Sequence, residues 1–160
     1  MDRAIAGATY LIHVASPFYL DNETVEELTK PAVDGTLSAL KAAKKHGVKR
    51  VVVTSSIAAI HTKLDPIPDP ITEEHWSVVD KMTAVADGYP LSKTLAEKAA
   101  WDFKSSADFE MVMINPGFVV GPGLIGKGYT SGEVLDKFMH GRLGCEAGMI
   151  RSLVEVSAVA

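Results

Sequence analysis

A tyrosine four residues ahead of a lysine is the pair in this sequence best suited to move a proton. Tyr89 and Lys93 open the stretch 89–103, YPLSKTLAEKAAWDF, which is rich in helix-forming residues. Residues i and i+4 lie on one face of a helix, so we expect the Lys93 ammonium near the Tyr89 phenol. A neighbouring positive charge favours the phenolate and lowers a pKa that starts at roughly 10. The spacing therefore predicts a general acid or base.

A run of hydroxyl residues ends an apolar segment upstream of this pair. The segment 50–56, RVVVTSS, is typical of a buried strand, and Thr54 and Ser56 lie in the hydroxyl run at its carboxyl end. Ligands of open α/β sheets bind beyond the carboxyl ends of the strands. We therefore expect a hydroxyl from this end to hydrogen-bond a substrate carbonyl that is held against Tyr89.

The elements that must position these groups alternate between strand and helix. This alternation predicts an α/β fold with a parallel sheet and helices on both faces. A Tyr-x-x-x-Lys pair also occurs by chance in many helices, so the order of the elements is what favours catalysis. The predicted strands span 8–14, 50–55, 110–115 and 151–156, and the predicted helices begin at Asn22 or Thr24, at Tyr89 and at Thr130.

The first long helix has recognisable ends and one interruption. Asn22 or Thr24 can cap a helix that runs towards His46, and Gly47 is suited to the C′ position that follows a helix. Pro31 falls inside this helix, where proline removes a backbone hydrogen bond. We expect a kink or a new helix start at that residue.

Composition excludes several classes of function. The chain has 160 residues, one domain's worth, with 47% hydrophobic and 22% charged residues. A net charge of −4 argues against nucleic-acid or anionic-membrane surfaces. We see neither a signal peptide nor an apolar run of roughly 20 residues, the length of a membrane span. Cys145 is the only cysteine, which favours a reducing compartment, and we expect the cytoplasm.

A glycine motif and the five histidines offer other chemistries. Residues 121–126, GPGLIG, match the dinucleotide pattern G-x-G-x-x-G, which requires a helix to begin within it. Residues 130–133 form a capping box, so the helix is expected to start later and the motif to be a mobile loop. His140, Cys145 and Glu146 are too sparse for a metal site, and no metal is predicted.

Several short sequence motifs occur along the chain in the same order as in a known superfamily. With Ser56, Tyr89 and Lys93, they make the chain resemble the extended short-chain dehydrogenases/reductases. The resemblance is to the branch around dihydroflavonol 4-reductase and cinnamoyl-CoA reductase, and it spans nearly the whole chain. The stretches are HVASPF at 13–18, KPAVDGTL at 30–37, VTSS at 53–56, YPLSKTLAEKAAW at 89–101 and NPGFVVGP at 115–122.

This resemblance implies a function and a set of roles. It implies the C-terminal part of a Rossmann-type sheet and NAD(P)-dependent reduction of a small ketone or aldehyde, or the reverse oxidation, with NADP favoured over NAD. Tyr89 would protonate the carbonyl oxygen as hydride arrives, Lys93 would lower the tyrosine pKa and hold the nicotinamide ribose, and Ser56 would orient the carbonyl. The implied cofactor contacts are Ala15, Ser16, Thr54, Tyr89, Lys93, Pro116, Gly117, Phe118, Val119 and Ser131.

The sequence also departs from the family pattern. It begins at what would be the fourth strand, so the first βαβαβ half with its Gly-rich phosphate turn and most of the substrate domain are expected to be missing. Helix capping explains the region of Ser131 as well as a phosphate contact does. Two alternatives stay open: a non-catalytic fragment or pseudoenzyme, and a sugar-nucleotide epimerase. An isolated chain of this kind is expected to bind NADPH weakly and to be poorly soluble.

Overall fold

The computed structural model of the protein describes residues 1–17, 24–122, 130–142 and 152–160. It divides the chain into two units, Met1–Asn115 and Pro116–Ala160. All three residues of the predicted Ser-Tyr-Lys set lie in the first unit, so the fold of that unit positions them.

A parallel sheet forms the centre of the first unit. Its three strands are β1 (Tyr10–His13), β2 (Arg50–Thr54) and β3 (Glu110–Ile114). They lie side by side in this order, and every neighbouring pair is parallel. The register places Ile12 beside Val52 and Val52 beside Val112, so the carboxyl ends of the strands meet at one edge of the sheet. The predicted parallel sheet is confirmed.

The helix between β1 and β2 begins as predicted and is not interrupted. In this helix, α2 (Val25–Lys45), Thr24 forms a capping box with Glu27: the Thr24 hydroxyl accepts from the Glu27 N–H at 3.2 Å. The Glu27 carboxylate accepts from the Thr24 N–H at 2.8 Å. The expected new start at Pro31 is wrong, because the helix continues through that residue. Asn22, the other predicted cap, lies outside the described residues.

The end of α2 follows the prediction. Gly47 takes the positive φ of 67° that a C′ residue requires. Its N–H donates to the Lys44 carbonyl, and the Val48 N–H donates to the Ala43 carbonyl at 3.0 Å. These two bonds satisfy carbonyls that the last turn leaves unpaired, and they direct the chain into β2. Among the described helices, none has the length and apolar composition needed to cross a membrane.

One helix pair covers one face of the sheet. Helix α4 (Gly88–Lys104) packs against α2, and both contribute to a core in which Leu40, Val51 and Ala100 are fully buried. Two short helices complete this unit, α1 (Asp2–Ile5) and α3 (Ala58–His61). The strand residues that pack in or against the core are Leu11, Val51, Val53, Met111 and Met113.

The opposite face of the sheet carries apolar side chains that the first unit leaves exposed. Tyr10 and Ile12 of β1 are 66% and 71% exposed, and Val112 and Ile114 of β3 also stand open. The expectation of helices on both faces is therefore wrong for this unit, and the strand predicted at 8–14 is not a buried one. The physical reason is that successive side chains of a strand point to opposite faces, and α2 and α4 lie on the same face.

The second unit contains a smaller parallel pair of strands. The predicted strand at 151–156 contains β5 (Leu153–Glu155), which pairs with β4 (Phe118–Val120), a three-residue strand that the sequence analysis missed. Beside them lie α5 (Thr130–Met139), which begins where predicted, and α6 (Val156–Val159). Residues 123–126 of the glycine motif lie outside the described part of the chain.

The exposed sheet face predicts that the 160-residue chain self-associates. Apolar patches beside an open strand edge are sites of association. Replacing Ile12 by Lys should weaken this association by at least about tenfold, because burial of one isoleucine contributes about 1.5–3 kcal/mol. Sedimentation velocity at several concentrations measures the effect. Ile67, which is 69% exposed but lies outside the sheet, gives the matched control Ile67→Lys. Equal effects of the two substitutions would contradict the prediction.

Candidate active site

The carboxyl ends of the three parallel strands form the site. His13 ends β1, Thr54 ends β2, and Asn115 follows β3. A hydrogen bond from the Ser55 N–H to the Ile114 carbonyl, 2.8 Å long, continues the pairing of β2 and β3 one residue further. The chain beyond each strand is thus held at the same edge of the sheet.

The Ser56 hydroxyl is oriented by the start of α3. Its oxygen accepts a hydrogen bond from the Ala58 N–H at 3.1 Å, and the side chain is buried. Because one acceptor site of the oxygen is used in this way, the hydroxyl proton can point at the Tyr89 phenol, whose pKa the Ser56 side chain lowers as a hydrogen-bond donor would. The structure therefore places these two predicted residues together, and their catalytic roles stay predictions.

The electrostatics of Tyr89 differ from the prediction. Burial raises its pKa, and the hydrogen bond with Ser56 lowers it by less, so the net shift is upward. The Lys93 Nζ lies 5.9 Å from the centroid of the phenol ring, a cation–π distance. The net pKa lowering expected for Tyr89 is thus wrong in this structure, because desolvation of the phenolate outweighs the effect of Ser56.

Lys93 is a buried ammonium. Only 7% of the residue is exposed, and its pKa is lowered by burial, an effect that Glu97 partly opposes. Its Nζ donates to the Thr54 carbonyl at 3.4 Å, a long hydrogen bond. The side chain lines a small cavity together with three predicted cofactor residues, Ala15, Ser16 and Thr54. Four of the predicted residues therefore meet at one place.

The segment before α4 fixes where Tyr89 enters the site. The Asp87 carboxylate accepts from the N–H groups of Thr83 and Ala84 at 3.1 and 3.0 Å, and it forms an ion pair with Lys63 at 3.1 Å. These contacts hold the pKa of Asp87 below its ordinary value. Asp87 was not predicted from the sequence, since its partners lie in an irregular segment with no periodic signal.

His13 is a second residue that the sequence analysis set aside. It is buried at the end of β1, and its Nε2 lies 3.3 Å from the Thr36 hydroxyl. Burial lowers its pKa first, and the charge of Lys93 lowers it further. Its place beside Lys93 in the cavity could have been inferred from its position at the carboxyl end of a predicted strand.

Comparison with known proteins identifies the family. Residues 1–125 match the 3-beta hydroxysteroid dehydrogenase/isomerase family. The chain belongs to this family. Its relatives include cinnamoyl-CoA reductase of Medicago truncatula, 43% identical over 125 residues that cover 76% of this chain and 38% of the relative. A putative NADPH-dependent methylglyoxal reductase of Candida albicans is 46% identical over 71% of this chain and 36% of the relative.

A solved relative confirms the Rossmann-type fold. The structure of yeast methylglyoxal/isovaleraldehyde reductase complexed with NADPH superposes with a TM-score of 0.78 at 30% identity, over 99% of this chain and 52% of the yeast one. The chain thus spans about half the length of that protein, and less of the two relatives above. The predicted resemblance to the extended short-chain reductases, and to their cinnamoyl-CoA reductase branch, is confirmed.

The remaining predicted cofactor residues of this family member lie in the second unit. A Cβ at Gly117 would come within 2.3 Å of the Ser152 carbonyl oxygen, and the neighbouring Phe118 N–H donates to that same oxygen at 2.7 Å. The close approach of the Ser152 backbone therefore explains why a glycine occupies position 117. Pro116 and Val119 flank this contact, and Ser131 is the second residue of α5. Among the described residues no cluster of metal-ligating side chains occurs.

His13 gives a prediction about stability. Its folded-state pKa lies below the ordinary value of 6.5, so the unfolded chain takes up a proton first as the pH falls. The stabilising effect of the neutral imidazole is present above pH 6.5 and is lost as the pH drops towards the folded-state pKa. Between about pH 7.5 and 5.5, the wild type should lose on the order of 1 kcal/mol more unfolding free energy than His13→Gln.

Urea unfolding at the two pH values measures this difference. The control is His75→Gln, because the ring of His75 is hydrogen-bonded only within its own loop, to Thr72, in the described contacts. The same pH dependence in His13→Gln and in the wild type would contradict the prediction.

Proposed function

We propose that this chain carries the proton-transfer site of an NADPH-dependent reductase that converts a small ketone or aldehyde to an alcohol, or catalyses the reverse oxidation. The observation that carries the proposal is the grouping of Ser56, Tyr89 and Lys93 at the carboxyl ends of parallel strands, where the Lys93 Nζ lies 5.9 Å from the centroid of the Tyr89 ring. Membership of the 3-beta hydroxysteroid dehydrogenase/isomerase family and reductases among its relatives support it.

The proposed chemistry follows from the protonation states of these side chains. A tyrosine with a raised pKa is protonated at neutral pH, which is the form that can give a proton to a carbonyl oxygen. As the O–H bond of Tyr89 breaks, an O–H bond forms on the substrate, and negative charge develops on the phenol oxygen. The Ser56 hydroxyl orients the substrate carbonyl, and the Lys93 ammonium stabilises the phenolate.

The residues of the first unit fit a nicotinamide cofactor at this position. Within the described part of the chain, the Lys93 ammonium makes one long hydrogen bond, so it retains donors for ribose hydroxyls. Ala15 and Ser16 are small and line the same cavity, which allows close approach of a ligand to the strand ends. Bound NADPH would supply the hydride for the carbonyl carbon. Pro116, Gly117, Phe118, Val119 and Ser131 are proposed as further contacts on the family resemblance.

NADPH is the proposed cofactor because of the relatives. The yeast reductase was solved with NADPH, and the Candida albicans relative is named an NADPH-dependent reductase. The sugar-nucleotide epimerase alternative has no such support among these relatives. A single cysteine, Cys145, supports a reducing compartment such as the cytoplasm.

A chimera tests the proposal directly. The aligned segment of the Candida albicans reductase is replaced by residues 1–125 of this chain, and NADPH oxidation is followed with methylglyoxal as substrate. We expect turnover, and Tyr89→Phe should reduce kcat by on the order of 10²–10⁴-fold, because it removes only the proton donor. NADPH affinity, measured by fluorescence, should stay nearly unchanged.

Tyr10→Phe is the matched control, because Tyr10 lies on the exposed sheet face and not at the carboxyl ends of the strands. Full activity of Tyr89→Phe would overturn the proposed role. A folded chimera that binds NADPH but shows no turnover would identify this chain as a catalytically silent member of the family.

A further inference from the structure

A buried acidic side chain lies beside the proposed catalytic residues without belonging to them. Glu97 follows Lys93 by one turn of α4, and only 5% of the residue is exposed. Burial of an ionised carboxylate is costly unless charge and hydrogen bonds compensate it. Its Oε2 accepts a hydrogen bond from Asn115 Nδ2 at 2.8 Å. Glu97 also lines the same small cavity as Lys93, and its charge favours the ammonium there. Glu97 thus has partners on both sides.

Asn115 links this carboxylate to the strand end that carries the site hydroxyl. Its Nδ2 also donates to the backbone carbonyl of Ser56, at 3.1 Å. The same carbonyl accepts from the Ala59 N–H at 3.0 Å in the first turn of α3. One amide group therefore joins α4, which carries Tyr89 and Lys93, to the chain that carries Ser56.

We propose that Glu97 and Asn115 are positioning residues for this site, in which Glu97 maintains the Lys93 ammonium and Asn115 holds Ser56 against Tyr89. This inference rests on the proposed function for its catalytic meaning. The two contacts themselves can be tested without turnover.

The charges around Lys93 explain why Glu97 matters. The titratable groups that face the ammonium are His13 from β1 and Tyr89 and Glu97 from α4. The walls of the cavity from β2 and α2 contribute hydroxyls and backbone, with no charged group among the described residues. His13 repels the ammonium when protonated, and Tyr89 is neutral at ordinary pH. Glu97 is therefore the anion that favours a charged Lys93 in these surroundings.

Two substitutions separate the two roles. Glu97→Gln removes the charge but keeps an oxygen that accepts the Asn115 hydrogen bond, so the packing is retained. Asn115→Ala removes the bridge but leaves the charge of Glu97. A purely structural role would make both variants lose stability in the same way, with no selective effect on Lys93 or on Ser56.

The experiment uses the 160-residue chain and NMR. The pKa of Lys93 is read from its side-chain resonances, and Asp102→Asn on the exposed face of α4 is the control. Glu97→Gln should shift the Lys93 pKa downward by several times the change in the control. Amide hydrogen exchange of Ala58, whose N–H is bonded to the Ser56 hydroxyl, should be roughly fivefold faster in Asn115→Ala and unchanged in Glu97→Gln.

Each outcome decides the inference. An unchanged Lys93 pKa in Glu97→Gln, or unchanged Ala58 exchange in Asn115→Ala, would overturn the corresponding half. If a variant does not fold, the same substitution is made in the chimera, where Glu97→Gln should shift the pH profile of kcat and Asp102→Asn should not. A chimera in which Glu97→Gln leaves that profile unchanged would overturn the role of Glu97. If the chimera shows no turnover, both NMR measurements can still give the expected results. Failure of the proposed function can therefore be distinguished from failure of this inference.

Discussion

The buried ammonium of Lys93 is the constraint on which the rest of the first unit depends. Desolvation of a charged amine is unfavourable, and the lowered pKa of Lys93 expresses that cost. The carboxylate of Glu97 on the same helix and the Thr54 carbonyl on the neighbouring strand offset this desolvation cost. Both partners must be held rigidly, which requires α4 to be fixed against the sheet. The packing of α4 on α2 is therefore part of the chemistry of the site.

Burial and the local contacts of the site have opposite effects on the protonation of Tyr89 and Lys93. Burial alone raises the pKa of Tyr89 and lowers that of Lys93, so it favours the neutral form of both side chains. Two contacts work against it: Ser56 hydrogen-bonds the phenol, and Glu97 stabilises the ammonium. A proton donor needs a neutral phenol before transfer and a stabilised phenolate after it. The balance between burial and these contacts is consistent with that requirement.

The features that depend on the spacing of neighbouring residues could be predicted from the sequence. The i+4 spacing of Tyr89 and Lys93, the hydroxyls at the end of β2 and the capping box of Thr24 all depend on a few neighbouring residues, and each lies where expected. The contact between Asn115 and the Ser56 carbonyl joins residues 59 positions apart, and no short pattern encodes such a distance. The direction of the Tyr89 pKa shift was missed for the same reason, because burial is a property of the packed structure.

The strands of the first unit show why the fold was easier to predict than its layers. In these strands, the side chains that point to either face of the sheet are largely apolar, as in strands of parallel sheets that are covered on two faces. In this unit α2 and α4 cover one face, while Tyr10, Ile12 and Val112 stay exposed on the other. The pattern of apolar residues indicates which faces of a strand can be buried. It does not indicate whether a layer of the same unit covers each face. The candidate site does not depend on that second layer, because the aligned carboxyl ends of the strands and the α2–α4 pair position its residues from one side of the sheet.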